Sequence, residues 1–543
     1  MLLASRARRR VAPQPALHSN AMARLSRRQF LAAAGAAGAG FALAGCGGSG
    51  APRPVSPSGP AVVAAEQRRR RPGARVHDVA VTAAPLAVDL GALRADTWGY
   101  DGAVPGRELR LRAGDVLRAR FTNGLPEPTT IHWHGVGLRN DMDGVPGLTQ
   151  PLVQPGQSFT YEFTAPDPGT FWFHPHTGLH LDRGLYAPLI VEDPAEPGAY
   201  DREYTVMLDD WSDGIGQSAE ASLDDLRAGR GAHAAHLAGG EGPMSEFLGS
   251  AGGDVNYPLY LINGRRPSAP VELEARPGER LRLRLVNAGA DTPFRVAVGG
   301  HRMTVTHTDG FPVEQVTVDN LMIAMAERYD VIVTVNGSGV FPLVAVAEAK
   351  AAQAMAVIRS GPGDVPGPGS QPAELRGATL SLDDLHAARS VRFPDRRPDR
   401  VYGVELGGGE EGYVWTINGR PHDDEPLAVR EGERVRLAFV NRTTMFHPMH
   451  LHGHTFEVML ASGAPGPRKD TTIVRPDQRL TVDFVADNPG QWMLHCHNVF
   501  HQVGGMMTTV SYVADDPGGG SEAAAADRAR LYCEWLGKGL STA

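Results

Sequence analysis

Arg430-Glu431-Gly432-Glu433-Arg434-Val435-Arg436-Leu437-Ala438-Phe439-Val440-Asn441 reads as a glycine turn followed by a strand of alternating character that stops at an asparagine. Alternation with period two describes a strand with one face in a core and the other turned away from it. The same succession of turn, strand and asparagine runs from Arg112-Ala113-Gly114-Asp115 to Asn123, and again from Arg276-Pro277-Gly278-Glu279 to Asn287. In all three the asparagine stands nine positions after the glycine. Three such matches imply three homologous β-domains. A second offset supports them: Phe163 and Gly169 precede His174 by eleven and five positions, and Phe484 and Gly490 precede His495 by the same. Val333 and Gly339 hold those places before Val344.

Composition agrees with many short strands. The 543 residues include 65 Gly and 42 Pro with only 7% aromatics, and at roughly 150 residues per domain the length allows three domains with extensions. The expected architecture is all-β: three consecutive Greek-key β-sandwich domains at residues 76–195, 196–360 and 401–515. Residues 361–400 read as a Pro/Gly-rich linker and 516–543 as a C-terminal tail. The Ala/Gly-rich region from Gly214 to Asp254 reads as a loop interrupting the second domain, with His233 and His236 as solvated side chains. A formal charge of -8 argues against nucleic-acid binding, because the arginine clusters sit mainly near the N-terminus.

There, Ser26-Arg27-Arg28-Gln29-Phe30-Leu31 and the apolar stretch to Ala44 resemble a twin-arginine export signal. Leu43-Ala44-Gly45-Cys46 resembles a lipobox, whose cysteine would be lipidated. Residues 1–50 are therefore expected to direct export to the cell surface or periplasm, with a lipid anchor at Cys46. Residues 51–75, with the run Arg68-Arg69-Arg70-Arg71, read as a solvated tether. With Cys46 in the lipobox and Cys496 between two histidines, Cys533 is left as a free thiol, and no structural disulfide is expected.

The chemistry lies at matched positions of the repeats. Nine and eleven residues after their asparagines the outer domains carry His132 and His134, and His450 and His452, where the second domain has Val296 and Val298. Residues i and i+2 of a strand point the same way, so each His-x-His presents two imidazoles together. Valine binds no metal, and the second domain is read as a spacer. The second element supplies His174-Pro175-His176 in domain one and His495-Cys496-His497 in domain three. Cys496 then points away from its neighbours, which separates two metal sites by one residue. His501 follows Cys496 by five positions, Met506 follows by five more, and His447 lies upstream on the adjoining element. Two imidazoles, a thiolate and a weak thioether are the ligand set of a blue-copper electron-transfer site. A single His-x-His says little in a chain with 20 histidines, but four at repeat-matched positions, one of them enclosing a cysteine, are specific. His454 extends the last motif without a counterpart in domain one, where Val136 stands, and is read as a supporting residue.

His132-Trp133-His134-Gly135, His174-Pro175-His176, His447-Pro448-Met449-His450-Leu451-His452 and His495-Cys496-His497 with His501 and Met506 resemble the four copper motifs of three-domain multicopper oxidases, over residues 76 to 515. Met142-Asp143-Gly144-Val145-Pro146-Gly147 is similar to bacterial laccase-like and copper-resistance members of that family. The resemblance implies cupredoxin-like domains and four copper ions. Type 1 copper would sit on His447, Cys496 and His501 with Met506 axial, and type 2 on His132 and His450. The type 3 pair would be shared by His134, His174, His176, His452, His495 and His497. A small reducing substrate would dock near an exposed edge of the type 1 site, and its electron would pass through Cys496 into His495 or His497. Four electrons would reduce O2 to water.

Asp143 matches the family's acidic residue near the three-copper centre and is expected to relay protons, although a turn-forming aspartate before Gly144 also fits the residues. Gln502 is a departure, since many bacterial relatives carry glutamate directly after the type 1 histidine and an amide relays no proton as an acid. Phenols or aromatic amines are the expected substrates, ahead of Cu(I) or Mn(II). No methionine-rich insertion is evident, and Met445, Met449, Met493 and Met507 lie inside the motifs as packing residues. The full ligand set disfavours a copper-binding protein without turnover, and the third repeat disfavours a two-domain nitrite reductase. The expected state is a monomer.

Overall fold

The structure is a computed structural model that describes residues 53–196, 199–230, 244–422 and 425–514, all within the unit Ala51–Ala543. The export signal, Cys46, His233, His236 and Cys533 lie outside the described residues.

Among the described residues six sheets form three pairs. In the first domain Arg94–Tyr100, Val76–Asp89, Val116–Asn123 and Ser158–Thr164 make one sheet, and Leu109–Arg112, Ala187–Glu192, Gly169–His174 and His132–His134 make the other. The second domain pairs the sheet of Arg202–Trp211, Arg280–Asn287 and Arg328–Thr334 with that of Phe294–Val298, Val340–Ala347 and Gln353–Arg359. In the third, Arg400–Gly408, Arg434–Asn441 and Arg479–Val485 are paired with His447–Leu451, Gln491–Cys496 and Met507–Ala514. These are three consecutive cupredoxin-like sandwiches.

The repeated asparagine has one task in all three. Each ends a strand that runs parallel to its domain's first long strand, with Ala83 opposite Asn123, Leu208 opposite Asn287 and Leu406 opposite Asn441. Immediately afterwards the chain leaves one sheet for the other. There Nδ2 donates to two carbonyls, those of Glu127 and Val153, Thr292 and Ile323, or Met445 and Val474, at 2.7 to 3.0 Å. Oδ1 accepts the backbone N–H two residues on. A buried crossing strands backbone polar groups, and this amide satisfies them. The turn glycines Gly114, Gly278 and Gly432 have φ of 88°, 86° and 90°, where a side chain would be strained.

Strand alternation also builds interdomain contacts. Leu281, Leu283 and Leu285 fill the second core, yet Arg282 and Arg284 on the opposite face are buried as well. Both bind Asp330, Arg282 also reaches Glu196, and Arg284 reaches Glu203 and Thr170 of domain one. The polar face of this strand is an interface.

Two expectations drawn from composition fail. Where a tether was expected, Arg53–Pro54 adds a strand to Met507–Ala514, and Pro60–Arg69 is a helix with Pro in its first turn. Arginine content suggested solvation, but Val62, Ala65 and Glu66 share a buried face. Glu66 accepts from Thr164 of domain one, and Arg68 pairs with Glu431 of domain three, so the segment straps the outer domains together. Within Gly214 to Asp254, Ala219–Arg227 is a helix capped by Ser218 that buries Leu223 and Leu226. Residues 361–400 do form a largely irregular connection with three short 3-10 turns.

Candidate metal centres

The two strands singled out in each outer domain are neighbours. His132 faces His174 across one pair, and Met449 and His450 face Cys496 and His495 across the other. In the second domain the register is one residue further on. Val296 faces Ala345, and Val344, expected in the histidine's place, faces Ala297; all four are buried in the core.

Domains one and three bring eight imidazoles into one buried cluster, none more than 3% exposed. His132 stacks on His452 and His134 on His450, at ring centroid distances of 3.9 and 3.8 Å. Nε2 of His174 lies 3.4 Å from Nε2 of His497. His495 Nε2 lies 3.4 Å from that of His176 and 3.0 Å from that of His452.

Outward partners fix which nitrogen faces the centre. Nδ1 of His132 donates to Asp143 O, of His174 to Pro175 O, of His450 to Asp470 O, of His452 to Asp143 Oδ2 and of His495 to Cys496 O, all at 2.8 to 2.9 Å. His134 is turned the other way, with Nε2 on Asp470 Oδ1 at 3.1 Å. The opposite nitrogens then face inward as lone pairs. His132 Nε2, His450 Nε2 and His134 Nδ1 are buried without any protein hydrogen-bond partner. Burial holds His134, His174, His176, His450, His452, His495 and His497 below the usual histidine range, so these rings are neutral donors of lone pairs. Neutral imidazoles with converging lone pairs, six of them with the outer nitrogen occupied, fit copper ions between them.

A second cluster lies on the other face of the same strand. Cys496 Sγ is 3.6 Å from His447 Nδ1 and 3.5 Å from His501 Nδ1, and those nitrogens are 3.0 Å apart. Met506 is fully buried in the same core, and its carbonyl accepts from Cys496 N. Thr443 Oγ1 lies 2.8 Å from His447 Nε2, and His501 Nε2 donates to Asp254 at 2.8 Å. Burial pushes the Cys496 thiol up, so its thiolate requires a cation in place of the proton, and the set fits a single copper. The expected exposed edge is absent. His447 and His501 are both 0% exposed, and Trp415 packs against the two rings.

Asp143 is fully buried at a turn ending in Gly144, and its Oδ2 accepts from His452 Nδ1. Gln502 Nε2 lies 3.5 Å from His176. His454 bonds Tyr512 and the carbonyl of His452, outside the cluster. Met445, Met449, Met493 and Met507 are buried packing residues.

The reading of domain two as a spacer needs correction. Among the described residues it gives no histidine to either cluster, but it supplies Asp254 to His501 at 2.8 Å, and Arg328 to Asp470 at 2.7 and 2.6 Å. Burial opposes ionisation of Asp470, yet Arg328 holds its carboxyl well below the usual range. Neither Asp254, Arg328 nor Asp470 belongs to a repeat or a ligand motif. The nearest sequence signal is Gly135, at φ 82°, where a Cβ would meet Arg328 Nη2 and Asp470 Oδ2.

Comparison with known proteins agrees with this geometry. Profiles of multicopper oxidase domains match residues 82–196, 202–362 and 395–516. The chain is 47% identical to the multicopper oxidase MmcO of Mycobacterium tuberculosis, over 92% of this chain and 100% of that one. It is 28% identical to a copper resistance protein A homolog of Pseudomonas syringae pv. tomato, over 76% and 88% of the two chains. The crystal structure of a multicopper oxidase from Pseudomonas thermotolerans superposes with a TM-score of 0.63 at 30% identity, over 81% of this chain and all of that one. Matched in all three domains and along nearly the whole length of a close relative, this chain belongs to the multicopper oxidases, which are copper-dependent oxidoreductases.

Proposed function

We propose that the chain is a laccase-like oxidase. It couples four one-electron oxidations of a phenol or aromatic amine to the reduction of O2 to water, with one type 1, one type 2 and two type 3 copper ions. The observation that carries this is the position of Cys496 in one cluster while His495 and His497 stand in the other. His447, Cys496, His501 and Met506 would hold the type 1 ion, and His132 and His450 the type 2 ion. His134, His174, His176, His452, His495 and His497 would hold the type 3 pair. Bound copper supplies one-electron redox chemistry at the first site and concerted delivery of electrons to O2 at the second.

The chain's own residues set the conditions for this. Thr443 and Asp254 orient the two histidines around Cys496. The peptide units flanking Cys496 give a short covalent route to His495 and His497. Asp143, 3.2 Å from His132 Nδ1 and bonded to His452, is placed to hold a proton beside both. Gln502, beside His176, offers no acid there. Gln502→Glu is expected to sustain turnover to higher pH than wild type; overlaid pH–rate curves would remove this position from proton delivery.

A second reading, oxidation of Cu(I) or Mn(II), is favoured by the covered type 1 histidines, which a phenol hydroxyl cannot touch. The copper resistance relative points the same way. Oxygen uptake by copper-loaded protein on a phenol and on Cu(I), in parallel, separates the two. We expect the phenol to be faster; a strong Cu(I) preference reverses the order, and uptake with neither defeats the oxidase reading. The motifs at Arg27-Arg28 and Cys46 support export by the twin-arginine route with a lipid anchor, and the enzyme is read as a monomer.

A further inference from the structure

A donor in solution cannot touch either type 1 histidine, because both rings are fully buried. Trp415 lies across the pair, its ring centroid 4.0 Å from that of His501 at a tilt of 36°, and 5.2 Å from that of His447. Tyr413 meets Trp415 edge-on at 5.6 Å, and its hydroxyl donates to Asp254, the carboxylate that also accepts from His501. The indole is held firmly. Trp415 N donates to Gly504 O, and a Cβ at Gly409 or Gly504 would collide with the ring. Both rings are buried, whereas Glu410, Glu411 and Gly412 before them and Val414 between them are exposed, Val414 at 43%. One short turn thus has its tip in solvent and two aromatic rings set against the histidines.

We propose that electrons are taken up through Trp415 and not through a histidine edge. Donors meet the turn at 410–414, and the electron crosses the indole to His501. In each passage the donor loses one electron, type 1 Cu(II) becomes Cu(I), and Trp415 is left unchanged. A donor therefore needs contact with the turn and no hydrogen bond to a histidine, which selects for small one-electron reductants, and the exposed Glu410 and Glu411 favour neutral or cationic ones. This rests on the copper assignment above.

Anaerobic stopped-flow bleaching of the blue absorption tests it, with hexaammineruthenium(II) and ascorbate as donors, in wild type, Trp415→Phe and Trp415→Leu. Copper content, the type 1 EPR spectrum and the indole fluorescence of apoprotein before and after copper addition are recorded alongside. We expect bleaching to slow by about tenfold or more in Trp415→Leu and by less in Trp415→Phe, by the same factor for both donors, with EPR and copper content unchanged. Indole fluorescence quenched by copper should lose its largest share in both variants. Unchanged bleaching in Trp415→Leu overturns the proposal, and so does faster bleaching, which would make Trp415 a lid over His501. If Trp415→Leu fails to fold, Trp415→Phe decides, since the proposal requires it to be slower than wild type. Wild-type protein that binds copper without a blue absorption would defeat the copper assignment and this proposal together, whereas a normal spectrum with unaltered rates defeats only the proposal.

Discussion

Cys496→Ser is expected to abolish the intense blue absorption and to lower turnover by three orders of magnitude or more, a barrier increase of about 4 kcal/mol. Serine is close in shape and smaller, so the strand Gln491–Cys496 keeps its register and the change in stability stays within about 1–2 kcal/mol. What is lost is the thiolate. Cys496 lies between His447 and His501 on one face, and its neighbours in sequence lie in the other cluster, so a single residue joins the two centres. The eight-histidine cluster does not depend on the sulfur for its geometry: each ring whose outer nitrogen is bonded rests on a carbonyl or carboxylate, and the one under His495 is the backbone carbonyl of residue 496, which serine keeps. The variant should therefore retain copper in that cluster and lose it from the Cys496 site. Metal analysis with EPR checks the first point, and turnover checks the second. Turnover near wild type would mean that electrons reach the histidine cluster by another path.

The eight-histidine cluster was legible because its members recur at fixed offsets from a structural landmark. The buried asparagine closes the same intersheet crossing in every domain, so counting from it amounts to counting along equivalent strands. Fold class followed from the same landmark. The residues that orient the histidines were not legible, since Asp254 reaches His501 across 247 positions, Arg328 reaches Asp470 across 142 and Asp470 reaches His134 across 336, and no spacing rule connects them. The helix Pro60–Arg69 was hidden by its arginines, whose partners belong to distant parts of the chain. The cover over the type 1 histidines was hidden for a similar reason. Trp415 opens the three-residue strand Trp415–Ile417 straight after a glycine-rich turn of no periodicity, and only the fold lays it on His501.

Arg328→Leu is expected to be the most damaging change outside the ligands, and its effect should separate the two copper centres. The guanidinium is completely buried and touches all three domains: it is bidentate on Asp470 of domain three, donates through Nε to Thr170 O of domain one, and belongs to a domain-two strand. Lys469 cannot substitute for it, because that ammonium lies between Asp309 and Glu327, 3.2 Å from each. Removing Arg328 leaves the Asp470 carboxylate buried without its cation, a loss of about 3–5 kcal/mol that a urea midpoint would register. Asp470 is also the support of two ligands, its carboxylate on His134 Nε2 and its carbonyl on His450 Nδ1. Once Asp470 shifts, those rings lose orientation, and copper affinity of the histidine cluster should fall about 10–100-fold. The blue absorption should survive, since His447 and His501 rest on Thr443 and Asp254. Arg328→Leu combined with Asp470→Asn removes the uncompensated charge as well. The pair should recover part of the stability without recovering the copper, which is a coupling that a double-mutant cycle measures. A single variant that loses stability yet keeps full copper in the cluster would confine Arg328 to holding the domains together.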